Sequence, residues 1–65
     1  MTYAELTAKL VAIEKVTGLY LSDPCVDAQN VGPNPTDWEL YDTALCAAET
    51  RAYEAGFDLH QLLNA

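Results

Sequence analysis

Sixty-five residues set the chain near the lower limit at which one domain closes a core unaided, because a domain this small buries only about 60% of its unfolded surface. A deep catalytic cleft is therefore not expected. A hydrophobic fraction of 51% argues against compositional disorder, although ten acidic residues against Lys9, Lys15 and Arg51 leave a net charge of −7.

That charge repels nucleic acid and anionic membranes and draws basic partners over roughly one Debye length, about 8 Å at physiological salt. Direct binding to DNA or RNA is disfavoured. A plainer reading is that the acids only solubilise a small protein. The start MTYAELTAKL has no apolar run after a basic region, and no stretch approaches the roughly 20 apolar residues of a membrane span. A cytoplasmic location is expected, where Cys25 and Cys46 would stay reduced. A Cys25–Cys46 disulfide, the lesser alternative, would add about 3 kcal/mol on loop-entropy grounds.

In chain order, the first predicted helix runs from about Tyr3 to Val16 and opens on a capping box, Thr2 with Glu5. Tyr3, Leu6, Leu10, Ile13 and Val16 or Thr17 repeat at three and four and form its apolar face, and Val11 either extends that face or makes a small secondary patch. Glu5 and Lys9 stand at i, i+4 in the favourable order. Gly18 supplies the stop.

From Gly18 to Pro35 the pattern is irregular. Leu19, Tyr20 and Leu21 read as a short extended run packing over the helices. Asp23-Pro24 is an N-cap and N1 pair, so one or two helical turns over about 24–30 and a loop both fit. Gly32-Pro33-Asn34-Pro35 then prohibits regular structure.

The second helix, about 37–55, begins with a T-x-x-E box, Thr36 with Glu39, and Gly56 gives its stop. At 100° per residue, Trp38, Tyr41, Leu45, Ala48 and Ala52 share one arc and are expected to face the core. Glu39, Asp42 and Glu49 share a second arc with Cys46 and Tyr53. Tyr53 is either an interface anchor or a side chain covered by the connector.

In the tail, Asp58 can cap and Phe57 can staple against Leu62, giving a short helix over about 59–63 that docks Phe57, Leu59, Leu62 and Leu63 on the core. The expected fold is all-α and a single domain over 1–65: two antiparallel amphipathic helices, an ordered connector and a closing C-terminal helix.

Catalytic grammar is weak. Cys46, His60 and Asp58 can be nominated as nucleophile, base and orienter, but Cys46 sits mid-helix, away from a pKa-lowering N-terminus, and a lone histidine in a C-terminal turn is usually a solvated or capping side chain. Neither zinc spacing nor a phosphate-binding glycine loop occurs, so no enzyme activity, metal or cofactor is expected.

The acidic stripe is the feature with functional content. Along the second helix Asp37, Glu39, Asp42, Glu49 and Glu54 place one charge per about 5 Å, against about 1.7 Å in duplex DNA. Close mimicry would need Asp23 and Asp27 from the connector, or Asp58 from the tail, on the same surface. A solvated face on a two-helix protein is the plainer account.

The segments TYAELTAKLVAIEK and TDWELYDTALCAAETRAYEAGFDLHQLL, with the length and charge of the whole, resemble the small acidic phage-encoded anti-CRISPR proteins of type I systems, those of the DNA-mimic kind. The resemblance implies binding to the basic surface of a CRISPR effector subunit of Cascade, the one that reads the protospacer-adjacent motif, in the host bacterial cytoplasm. The expected partner-binding residues are Glu39, Asp42, Glu49, Asp23, Asp27 and Tyr53. The alternative is a small phage or bacterial regulatory or structural protein that binds through an apolar helix face, as a monomer or a homodimer; Tyr3, Val11, Tyr53 and the leucine-rich tail supply the surface for it.

Overall fold

The structure, a computed structural model, describes residues 2–22 and 32–64. Three helices order them: α1 (Tyr3–Thr17), α2 (Asp37–Glu54) and α3 (Leu59–Asn64), with no strand among the described residues. The all-α expectation is met. The helix or loop expected over 24–30 lies outside the described residues.

The predicted box at the start of α1 forms completely. Thr2 Oγ1 accepts from Glu5 N–H at 3.2 Å, and Glu5 Oε1 accepts from Thr2 N–H at 3.4 Å and Thr2 Oγ1 at 3.1 Å. The Glu5 carboxylate is thereby committed to the cap, and the expected i, i+4 pair with Lys9 is not made. Gly18, left-handed at φ 76°, ends α1 and donates its N–H to Glu14 O at 2.8 Å, the single closing bond of a left-handed cap.

At α2 only half of the expected box forms: Thr36 Oγ1 accepts from Glu39 N–H at 3.2 Å, without the reciprocal bond. The exit is better specified. Phe57 N–H donates to Ala52 O at 2.9 Å and Gly56 N–H to Tyr53 O at 3.0 Å, with Gly56 at φ 87°. This pair of bonds is a Schellman motif. It fixes the elbow into α3, whose first turn is capped by Asp58 Oδ1 accepting from His60 N–H at 3.1 Å.

The two long helices run in the same direction, not antiparallel as the sequence suggested. Tyr3 N–H donates to Asp37 Oδ2 at 3.3 Å, so the helices begin together. They also end together: Arg51 Nη1 donates to Leu21 O at 3.0 Å, while Leu21 N–H donates to Glu14 Oε1 at 2.8 Å. Short connections enforce antiparallel neighbours. The nineteen residues from Gly18 to Thr36 exceed that regime, since about 3.3 Å per residue easily spans the roughly 22 Å of α1.

The core joins Leu6, Leu10 and Ile13 of α1, Leu21, the alanines Ala44, Ala48 and Ala52 of α2, and Leu59 of α3. Branched side chains from α1 thus meet a smooth alanine surface. Tyr3, Leu19, Tyr41, Leu45, Leu62 and Leu63 pack around it. Of the run at 19–21, Leu21 is fully buried and Leu19 packs against the core, whereas Tyr20, expected to pack with them, is 66% exposed.

Two apolar residues leave the places expected for them: Trp38 is 70% exposed, and Phe57 lies 40% exposed outside the core cluster. The buried face of α2 centres on Ala48, and Trp38 stands about 80° from that centre at 100° per residue. On α1, Thr17 rather than Val16 turns inward and donates its hydroxyl to Ile13 O at 2.8 Å. Phe57 is held out by the elbow.

Candidate acidic and aromatic binding face

Eight of the ten acidic residues fall within the described chain, and half of those eight are bound to backbone N–H groups. Glu5 and Asp58 cap helices, and Asp37 pins the start of α1. Glu14 is a hub: its Oε1 accepts from Leu21 N–H at 2.8 Å, Ser22 N–H at 2.6 Å and Ser22 Oγ at 2.8 Å. Partial burial pushes its carboxyl up, but the Ser22 and Leu21 hydrogen bonds and the nearby Arg51 charge outweigh this and hold it below the usual value.

The acids left over are Glu39, Asp42, Glu49 and Glu54, all on α2. The carboxylates of Glu39, Asp42 and Glu54 make no hydrogen bond or ion pair within the described residues; Glu39 is half-buried, and Asp42 and Glu54 are exposed. Glu49 Oε1 lies 3.4 Å from His60 Nε2, joining α2 to α3. Tyr53 is 82% exposed, so none of the described residues covers it. Asp23 and Asp27, expected to complete the surface, lie outside the described residues.

Spacings of four, four, three and four align Trp38, Asp42, Cys46, Glu49 and Tyr53 along the outer side of α2, a stripe of about 22 Å. The rings of Trp38 and Tyr53 bracket the two acids, Asp42 and Glu49. Cys46 is a free, exposed thiol within it, and Cys25 lies outside the described residues. The stripe carries no Lys or Arg; Arg51, the cation of α2, is hydrogen-bonded to Leu21 O near the connector. Its potential is therefore negative along its length.

The stripe runs into an open groove of about 800 Å³ at the elbow, lined by Glu49, Tyr53, Glu54, Phe57, Asp58 and His60 among others, with the buried Leu59 contributing to its lining. Here the tail does join the acidic surface: Asp58 is brought beside Glu49 and Glu54. His60, 67% exposed, holds Glu49 with its ring while its backbone N–H is held by Asp58. That geometry does not make Asp58 an orienter of the imidazole. Among the described residues no cluster of His, Cys, Asp and Glu could hold a metal ion, and no helix is long and apolar enough to cross a membrane.

Sequence reasoning missed Trp38, Phe57 and His60 as members of this face. The signal for Trp38 was present: it stands only about 40° from Asp42 and about 20° from Glu49 on the wheel. Apolar character alone had placed it inward.

Comparison of the chain with protein-family models, with curated proteins and with solved structures finds no match.

Proposed function

We propose that the chain is a non-catalytic, protein-binding inhibitor that occupies a basic DNA-reading surface, specifically that of a type I CRISPR Cascade complex in the bacterial cytoplasm, as the anti-CRISPR proteins it resembles do. The observation that carries this reading is the cation-free stripe from Trp38 to Tyr53, continued at the elbow by Glu54 and Asp58. A groove that reads DNA is lined by Lys and Arg, and an acidic face gains the same long-range steering and the same salt sensitivity as the DNA it displaces. The charges are too sparse to replace phosphates one for one. Aromatic anchors flanking the acids, Trp38 and Tyr53, compensate, since rings supply much of the apolar contact in interfaces.

The test is competition between the protein and target DNA for purified Cascade. Reversal at Asp42 and Glu49 (D42K, E49K) should abolish displacement of DNA, whereas Glu5→Gln, which preserves the capping box, should not. Equal loss in all three variants, or displacement by none of the proteins including the wild type, would overturn the reading.

One observation favours the alternative of apolar self-association. Val16, 86% exposed, borders an apolar cleft of about 210 Å³ shared with Ala12, Ile13, Thr17 and Leu62. Light scattering at low and high salt separates the two: an apolar dimer persists in salt, and electrostatic capture weakens.

A further inference from the structure

We propose that the α2–α3 groove receives an arginine side chain from a basic segment of another protein. The inference rests on reading this face as protein-binding, and it names what the face selects. Tyr53 and Phe57 present aromatic surface, exposed by 82% and 40%. Glu49, Glu54 and Asp58 stand around them.

That combination discriminates among occupants. A purely apolar segment would strip water from carboxylates without replacing their hydrogen bonds. A phosphate-bearing ligand meets charge of its own sign. Lysine supplies a compact, strongly hydrated point charge, whereas the planar guanidinium stacks on a ring while donating in its plane to carboxylates. A second copy cannot provide the group: Arg51 is the only arginine in the sequence, and it is hydrogen-bonded to Leu21 O. The occupant is therefore a different chain.

The groove is also pre-shaped. Phe57 N–H bonded to Ala52 O, Gly56 N–H bonded to Tyr53 O and the Asp58 cap fix the backbone on which Tyr53, Phe57 and His60 stand. Pre-organisation of this kind lowers the ordering cost of binding. Glu49 already leans on His60 and Asp58 Oδ1 caps α3, which leaves Glu54 and the second oxygen of Asp58 as the first acceptors for an incoming guanidinium.

The experiment is an amide NMR titration of the full chain with a hexa-arginine peptide and, separately, a hexa-lysine peptide. Shifts should concentrate over residues 49–60, with arginine binding tighter than lysine by about two- to fivefold. Phe57→Ala and Tyr53→Ala, each checked for unchanged helicity, should remove that preference, and Glu5→Gln, on the helix cap of α1, should keep it. Equal affinity for both peptides, shifts spread over all acidic positions, or no shifts overturn the proposal. The outcome is separable from the Cascade reading: Phe57→Ala that still displaces target DNA sinks the groove alone, and an arginine-selective groove on a protein that never displaces DNA sinks the inhibitor reading alone.

Discussion

Tyr3 N–H and Asp37 Oδ2 meet at 3.3 Å, and this bond holds the first turns of the two long helices side by side. Aligned helices place like dipole ends together, and a carboxylate between two N-termini offsets the resulting positive potential. Arg51 and Lys15 stand in the last turns, where they suit the negative ends. Asp37→Ala should therefore destabilise the fold by about 1 kcal/mol, with Asp37→Lys costing more, as read from urea midpoints.

Glu14 ties the 19–22 segment to α1. Removing it by Glu14→Ala leaves the N–H groups of Leu21 and Ser22 without their acceptor and should cost about 1–2 kcal/mol. The pH dependence has a definite sign. Because the folded carboxyl lies below its ordinary value of 4.5, its contribution is present above about pH 4.5 and is lost as pH falls through the folded value. Glu14→Gln should flatten the stability curve in that acid range, and an unchanged curve would show that the carboxylate is not the hub.

The alanine surface of α2 admits no added volume. Ala48 is fully buried against α1, so Ala48→Leu should cost about 1–3 kcal/mol through overpacking. Leu6→Ala, a cavity in the same core, should cost about 2–5 kcal/mol. Thermal unfolding of both variants checks the packing.

Much of this architecture was legible in the residues. Capping boxes, stop glycines and the 3–4 repeat of Leu6, Leu10 and Ile13 are local signals, and local hydrogen bonding decided them. The sense of the helices and the inward face of α2 were not legible, because both depend on partners distant in sequence. An alanine scores low for burial on its own, yet it is what leucines from α1 require, and so Ala44 displaced Trp38 from the expected face. Of the candidate site, the acids Glu39, Asp42 and Glu49 were visible as an arc. The contribution of Phe57, Asp58 and His60 was hidden in an elbow that only tertiary packing creates.

Trp38, the single tryptophan, reports directly on its own exposure. At 70% exposed its emission should be water-like in the folded protein, shift little on unfolding and be quenched readily by acrylamide. Trp38→Ala should leave stability within about 0.5 kcal/mol of wild type while weakening capture of a basic partner. A blue-shifted folded emission would return Trp38 to the core.

Gly56 meets no atom at the position a Cβ would take, so Gly56→Ala is opposed by backbone conformation alone, at φ 87°. The expected cost is about 1 kcal/mol. Circular dichroism should show both helices intact with a lower melting temperature, and arginine selectivity at the elbow should fall with it.

The shared direction of α1 and α2 also orders the events of folding. The elbow between α2 and α3 closes through neighbours in sequence, while docking α1 requires the nineteen-residue connection from Gly18 to Thr36 to close first. Chain closure is an entropic barrier that local contacts avoid, so the α2–α3 unit should form early and α1 should dock last. The same connection sets a hard limit on shortening. Below about seven residues it could no longer span the length of α1, and the chain would be driven to the antiparallel hairpin it now avoids.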